Sequence, residues 1–158
     1  MLQKKLLPAL TLILLSSGAY ANQLTVEELR LEKATLTMPE VMSVFTKNID
    51  SFKHAWQKSE DYQAAKKVIS NHAQQLWLDA TNKMQTSSTF DDRPLYWARL
   101  AMSKVMRSTP SSFSPSTEQL NALLALLEQG SRGRFDLEYT KNTDKKILLT
   151  GFDPFLLD

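Results

Sequence analysis

Apolar residues recur at helical spacing along most of the chain, and this feature most constrains its fold. The clearest stripe advances in steps of four, four, three and four residues through Val41, Phe45, Ile49, Phe52 and Trp56. Those steps place all five side chains on one face of an α-helix. Three later segments have similar faces: Tyr62, Ala65, Ile69, Leu76 and Ala80; Leu95, Ala98, Met102 and Val105; Leu120, Leu123, Leu124 and Leu127. The pattern predicts a mainly α protein, an antiparallel bundle of about five helices.

Capping residues predict where the first two helices begin. Thr25 and Glu28 have the spacing of a capping box, in which hydroxyl and carboxylate satisfy free N–H groups, and a short helix is expected to reach about Leu36. Thr37 and Glu40 repeat that spacing. Pro39 adds a proline at the first helical position, so a second helix is expected there.

Similar signals bound the other three helices. Ser59 is expected to cap the third helix, and Asp91 or Asp92, ahead of Pro94, to open the fourth. The fifth is expected over residues 117–129, with Gly130 as its C-terminal cap. Residues 86–89 and the Ser- and Pro-rich residues 108–116 are expected to be loops.

The N-terminus has the three parts of a secretory signal. Lys4 and Lys5 precede an apolar run of ten residues, 6–15. A tail of small residues follows and ends in Ala19-x-Ala21. Ten residues fall short of the roughly 20 needed to span a bilayer core. We therefore expect cleavage after Ala21 and a periplasmic or secreted protein with no membrane association afterwards.

Charge and cysteine content exclude several classes of function. The chain has 19 basic and 17 acidic residues, and loss of Lys4 and Lys5 with the signal leaves equal numbers. A neutral chain without a basic block is not expected to bind nucleic acid or an anionic membrane. The chain contains no cysteine, which excludes disulfides, a cysteine nucleophile and thiolate metal sites within it.

No catalytic or metal-binding set emerges from the remaining polar residues, and no cofactor is predicted. His54 is expected to be exposed, and His72 to lie at the edge of an apolar stripe, where a structural role is favoured because a metal needs several convergent ligands. Acidic pairs at 27–28 and 91–92 could form an acid/base pair, but both stand at helix starts and are interpreted as caps. Trp56, Trp77 and Trp97 are interpreted as core or interface residues.

The composition changes after the fifth helix. Residues 131–144 are interpreted as a linker with a possible strand, and residues 145–151 form an apolar, strand-like run that ends in a glycine. The predicted organisation is therefore a signal peptide (1–21), a helical domain (22–130), the linker (131–144) and the start of an α/β domain (145–158).

That last segment, Lys145 to Asp158, reads KKILLTGFDPFLLD. It resembles the N-terminal segment of pyroglutamyl peptidase type I (pyrrolidone-carboxylate peptidase), in which a first strand leads into a T-G-F-x-P-F loop. The resemblance covers fourteen of 158 residues. It implies an open α/β fold and a cysteine peptidase that removes N-terminal pyroglutamate with a Cys-His-Glu triad.

By the same resemblance, Phe152 and Phe155 would bind substrate by lining the pocket of the pyrrolidone ring, which agrees with ligand binding beyond the carboxyl ends of strands. The chain departs from the family at Leu156 and Leu157, where glycines are usual. It also lacks the triad, so this chain alone is expected to be inactive.

The sequence thus predicts the N-terminal part of an exported pyroglutamyl-peptidase-like protein, a shortened polypeptide whose full-length form would act on peptides with N-terminal pyroglutamate. The alternative is a complete exported helical binding or interaction module without enzymatic activity. The sequence does not indicate which oligomeric state the protein adopts.

Overall fold

The computed structural model describes residues 24–135, and within that range the chain is helical without any strand. Seven helices follow one another: α1 (Val26–Leu29), α2 (Leu31–Thr37), α3 (Pro39–Ser43), α4 (Thr46–Gln57), α5 (Tyr62–Thr86), α6 (Arg93–Ser108) and α7 (Thr117–Ser131). The prediction of a mainly α helical bundle is confirmed. The signal peptide, most of the predicted linker and the peptidase-like segment lie outside the described residues.

The bundle is built around α5, α6 and α7. Helix α5 packs along α7, while α4 lies against both α5 and α6, and α6 also contacts α1, α2 and α3. None of the helices between residues 24 and 135 has the combination of length and apolar character that crossing a bilayer requires.

The core contains most residues of the predicted stripes, but Val41 lies outside it, and Ala73 and Met106 belong to it without having been predicted. Its largest fully buried apolar side chains come from α4 to α7: Phe52, Trp56, Ile69, Leu76, Met102 and Leu123. Ile49, Tyr62, Val105 and Leu124 are only partly buried and pack against this cluster from its edges. Since the members of each stripe meet those of the neighbouring helices, burial of these faces stabilises the bundle.

Two of the five predicted helices are interrupted. The first is divided at Arg30, which is both the C-terminal cap of α1 and the N-terminal cap of α2. The second is divided at Val44 and Phe45, where Phe45 adopts φ −111° and ψ 24°. Phe45 is nevertheless buried. The stripe is therefore shared by two helices, α3 and α4, instead of running along one.

The predicted caps agree with the structure at some helix starts and not at others. The Thr25 capping box is present, and Pro39 stands at the start of α3. The prediction for Thr37 was wrong: its hydroxyl donates to the Lys33 carbonyl 2.9 Å away, within α2, and Met38 caps α3 without a side-chain bond. The prediction for Ser59 was also wrong, because its hydroxyl donates to Ala55 O.

Aspartates occupy the N-terminal caps of α5 and α6. Asp61 caps α5 and accepts a hydrogen bond from Ala64 N at 2.7 Å. Asp92 occupies the cap of α6, as predicted, but makes no side-chain cap bond, and the preceding Asp91 accepts from Arg93 N instead.

Candidate functional site

The predicted substrate-binding residues, Phe152 and Phe155, lie outside the described residues. The structure of residues 24–135 shows the polar side chains and the surface clefts of the helical domain. No group of three or more His, Asp or Glu side chains within that range is placed to hold a metal ion.

The carboxylate of Glu28 is the one acidic group fully buried among the described residues. Its Oε2 accepts from Thr25 N at 2.7 Å, which completes the capping box. Its Oε1 accepts from Ser103 Oγ and from Arg107 Nε, the latter at 3.2 Å, both on α6. We call these four residues the Glu28 network. Because every oxygen of Glu28 has a donor, the network can hold α1 on α6 without exposing a charge.

The sequence showed the capping role of Glu28 but not its tertiary contacts. The interpretation of residues 27–28 as caps is correct for Glu28. Its spacing of three from Leu31, which is buried in α2, was the available signal that Glu28 also lies on the inner face.

In the other acidic pair, at residues 91–92, Asp91 forms an ion pair with Arg93 at the surface. Asp91 accepts from Arg93 through both carboxylate oxygens, Oδ1 to Nε at 2.8 Å and Oδ2 to Nη2 at 3.0 Å. The hydrogen bond with Arg93 lowers the pKa of Asp91. A carboxyl group held ionised in this way is a poor general acid, because proton donation needs a pKa near the working pH.

A polar cleft of about 480 Å³ lies between α4 and α5 and contains His72. Desolvation by burial lowers the pKa of His72, whose ring meets that of Phe52 edge-on with 5.7 Å between centroids. On the same cleft, Asp79 accepts from Asn48 Nδ2 at 2.7 Å and from Gln75 Nε2 at 2.8 Å. The bond from Asn48 ties α4 to α5, while the bond from Gln75 lies within α5. The edge position predicted for His72 is confirmed. His54 is exposed, as predicted.

Two of the three tryptophans lie in the core or pack against it. Trp56 is buried in the core and donates from Nε1 to Thr109 O at 2.8 Å, while the ring of Phe113 packs against it edge-on. Trp77 is partly buried on the core. Both agree with the core interpretation.

The end of α7 differs from the prediction. Helix α7 continues through Gly130 to Ser131, so Gly130 is not the C-terminal cap. It lies inside a tight contact, where an added Cβ would come within 2.7 Å of Ala73 Cβ and 2.6 Å of the Phe135 ring. The left-handed backbone expected of a cap glycine occurs at Gly133, with φ 69°.

Residues 130–135, which we call the exit turn, are packed onto α5. A Cβ at Gly133 would collide with the indole of Trp77, so only glycine lets the backbone approach that ring. Gly133 N donates to Gly130 O at 3.1 Å and Arg134 N to Gln129 O at 3.0 Å. The first residues after α7 are therefore held against the bundle.

A groove of about 500 Å³ is lined by residues of α2, α3, α4 and α6, and we call it the α6 groove. Its apolar lining comes from Leu31, Pro39, Met42, Ile49, Ala101 and Val105. Asp50, Lys53 and Lys104 add the charged groups. The predicted stripes contain Ile49 and Val105, but the groove itself was not foreseen, because it depends on how the short helices meet α6.

Comparison with known proteins gives one relative and a family. The chain is 29% identical over 110 residues to Uncharacterized protein PA0049 of Pseudomonas aeruginosa strain PAO1. The similarity covers 61% of this chain and 20% of that protein, so the chain spans about a fifth of the relative's length. No solved structure matches the chain.

The family match coincides with the helical region. The family model described as the PA0049 N-terminal domain matches residues 15–128, from the apolar run near the N-terminus to the last turn of α7. The matched range stops before the exit turn and before residues 145–158. Since it covers more than half of the sequence, the chain belongs to the PA0049 N-terminal domain family.

Proposed function

We propose that the helical bundle is a non-catalytic leading domain of an exported protein, and that residues 145–158 begin a pyroglutamyl-peptidase-like segment. The sequence Thr-Gly-Phe-Asp-Pro-Phe at 150–155, directly after a strand-like run, carries this proposal. Phe152 and Phe155 would contact the pyrrolidone ring of a peptide with N-terminal pyroglutamate. The Cys-His-Glu triad would have to come from residues other than those of this chain.

Two observations support a leading domain. The matching family is described as an N-terminal domain, and the relative from Pseudomonas aeruginosa is several times longer than the matched part. Two of the least exposed acidic groups are also engaged structurally, with Glu28 buried on α6 and Asp79 bonded to two amides. Such groups are unsuited to acid/base work.

The exit turn supports a positioning role for this domain. Gly133 and Phe135 pack on α5 and α7, so the chain is anchored at the exit turn, and residues 136–144 separate this anchor from the peptidase-like residues. A segment that starts from an anchored point samples fewer orientations than one on a free linker. The helical domain would thereby hold the following segment, and its bound peptide, in a restricted range of directions.

A chimera tests the peptidase proposal. Residues 22–158 are joined to the part of a pyroglutamyl peptidase that follows its own T-G-F-x-P-F loop, and turnover of a pyroglutamyl-amide reporter is measured. If residues 145–158 supply the first strand and loop, the chimera hydrolyses the reporter. Removing one ring by Phe152→Ala should raise KM by about tenfold, the effect of a lost apolar contact in a pocket.

Two controls accompany the chimera. Replacement of the appended cysteine must abolish turnover, and the present chain alone must show none because it has no cysteine nucleophile. A chimera that folds, as judged by circular dichroism and a cooperative thermal transition, yet shows no turnover would contradict the proposal.

The alternative function, an exported helical binding module without activity, is favoured by the α6 groove, whose volume suits a small ligand. Deletion of residues 145–158 separates the two functions. A peptidase-like segment without its partner strands exposes an adhesive edge, so its deletion should raise solubility and leave the melting temperature unchanged. A marked fall in melting temperature would mean that these residues pack on the bundle, as expected of the module.

Export is tested by intact-mass measurement. Ala19-x-Ala21 after the apolar run motivates cleavage that leaves Asn22 as the first residue. A protein that retains Met1 and stays in the membrane fraction would contradict export.

A further inference from the structure

The α6 groove lies beside the part of the chain in which α2, α3 and α4 are separated at Met38 and at Phe45. Met38, with φ −138° and ψ 55°, ends α2, and Phe45 separates the five-residue α3 from α4. A bent series of short helices does not cover α6 as one straight helix would. The groove lies where α2, α3 and α4 meet Ala101, Lys104 and Val105 of α6.

Three of the five hydroxyl groups that line the groove, all except those of Thr46 and Thr109, donate to carbonyls of their own helices. Thr35 Oγ1 donates to Leu31 O at 2.8 Å, Ser43 Oγ to Glu40 O at 2.9 Å and Ser108 Oγ to Lys104 O at 2.7 Å. Their protons are therefore not directed at a ligand. Together with the apolar lining, this leaves a surface suited to a hydrocarbon chain and poorly suited to a sugar or a nucleotide, both of which need many hydrogen-bond partners.

The charged groups of the groove favour an anion. Lys53 on α4 and Lys104 on α6 line the groove together with one acidic residue, Asp50. Within residues 24–135, neither lysine forms a salt bridge or a side-chain hydrogen bond. Two ammonium groups and one carboxylate leave a net positive charge beside an apolar lining, and flexible lysines can reach a carboxylate at either end of it.

We propose that the α6 groove binds an aliphatic carboxylate, with the alkyl chain on the apolar lining and the carboxylate between Lys53 and Lys104. Its volume of about 500 Å³ lies within the usual range of small-ligand sites. This inference gives a ligand class to the binding-module function and rests on the groove. It does not depend on the resemblance of residues 145–158 to a peptidase.

Calorimetric titration of the exported chain with decanoate, kept below its micelle concentration, tests the proposal. Decanoate should bind at one site, and octanoate should bind roughly tenfold more weakly because two methylenes are lost. Decyltrimethylammonium has the same alkyl chain with the opposite charge and should bind far more weakly. Chemical shifts of backbone amides should change at residues that line the groove.

Matched variants locate the site. The double variant Lys53→Gln and Lys104→Gln should weaken decanoate binding by about threefold to tenfold, the range for partly exposed ion pairs. Ala101→Leu, which adds bulk to the lining, should weaken it as well. Lys67→Gln with Lys83→Gln removes the same charge from exposed positions outside the groove and should leave the affinity unchanged. Circular dichroism verifies that each variant is folded.

Three results would overturn the proposal. The first is the absence of decanoate binding, and the second is equal affinity for decyltrimethylammonium, which would indicate non-specific hydrocarbon association. The third is binding that appears only after deletion of residues 145–158, since the groove would then be occupied by the chain's own C-terminal part. The peptidase proposal has a separate readout, the turnover of the chimera, so the two can fail independently.

Discussion

The four helices α4–α7 and the three short helices α1–α3 are held in place by different interactions. Apart from Phe45, the residues of the continuous apolar core come from α4–α7. The segment α1–α3 adds Leu31 and Ala34 as buried apolar residues and is joined to α6 through the Glu28 network. Its outer apolar residues are exposed, with Val26 64%, Leu29 63% and Leu36 78% accessible.

This difference teaches that the helical domain of this chain has a packed body and an N-terminal segment, which is held on the body by a buried polar network and few apolar side chains. Apolar burial is spread over many side chains, so no single contact decides it. A buried carboxylate with three donors concentrates the attachment in one place, because loss of one member leaves a buried group without its partner. The α6 groove lies at the junction of these two regions, and its shape depends on both.

The largest effect is expected in the body. Phe52→Ala removes a fully buried ring from α4 and should lower the free energy of unfolding by about 3–5 kcal/mol, since a cavity remains. Urea denaturation followed by circular dichroism measures the change. Leu36→Ala, at an exposed position of α2, is the control and should change stability by less than about 0.5 kcal/mol. Similar losses for both variants would contradict the division into body and attached segment.

A smaller loss is expected when the Glu28 network is broken. Glu28→Gln removes the charge that Arg107 faces and should cost about 2 kcal/mol, less than a fully buried pair because Arg107 is 21% exposed. Hydrogen exchange should accelerate in α1 and α2 while α4–α7 keep their protection. The exposed Glu32→Gln variant serves for comparison. Uniform loss of protection across all helices would show that the segment and the body unfold together.

The exit turn offers a test within the body itself. Gly133→Ala places a Cβ against Trp77 at a left-handed backbone position and should cost about 1–2 kcal/mol. The emission of Trp77 should also change as its surroundings open. Arg134→Ala, one residue later and exposed, should leave both stability and fluorescence close to the parent. An unaltered melting temperature for Gly133→Ala would mean that the turn is not a packed part of the body.

The smallest effect concerns pH. Burial lowers the pKa of His72 below its unfolded value, so the unfolded chain takes up a proton first as the pH falls through 6.5. The contribution of His72 to stability is therefore complete above pH 6.5 and is lost as the pH falls toward its folded pKa. Melting temperatures at pH 7.5 and 5.5 should differ less in His72→Gln than in the parent. The exposed His54→Gln variant should retain the full difference.

The sequence predicted the body better than the attached segment. The stripes of α5, α6 and α7 appear in the core almost residue for residue, because long helices with one apolar face have few ways to bury it. The Thr25 capping box and Pro39 at the start of α3 were also predictable, since both act within one turn of helix. The groove was not, because its lining comes from four helices whose contacts no local pattern specifies.

Local chemistry therefore determined which residues are helical and which faces are apolar. Tertiary structure decided where helices break, which glycine reverses the chain and which carboxylate is buried. Phe45 lies at a helix break and is buried. Gly130 is helical and packs closely against Ala73 and Phe135, whereas Gly133 is left-handed and packs against Trp77. The physical reason is that capping and periodicity act over three or four residues, whereas tertiary contacts join positions far apart in sequence, such as Glu28 and Arg107, which are 79 residues apart.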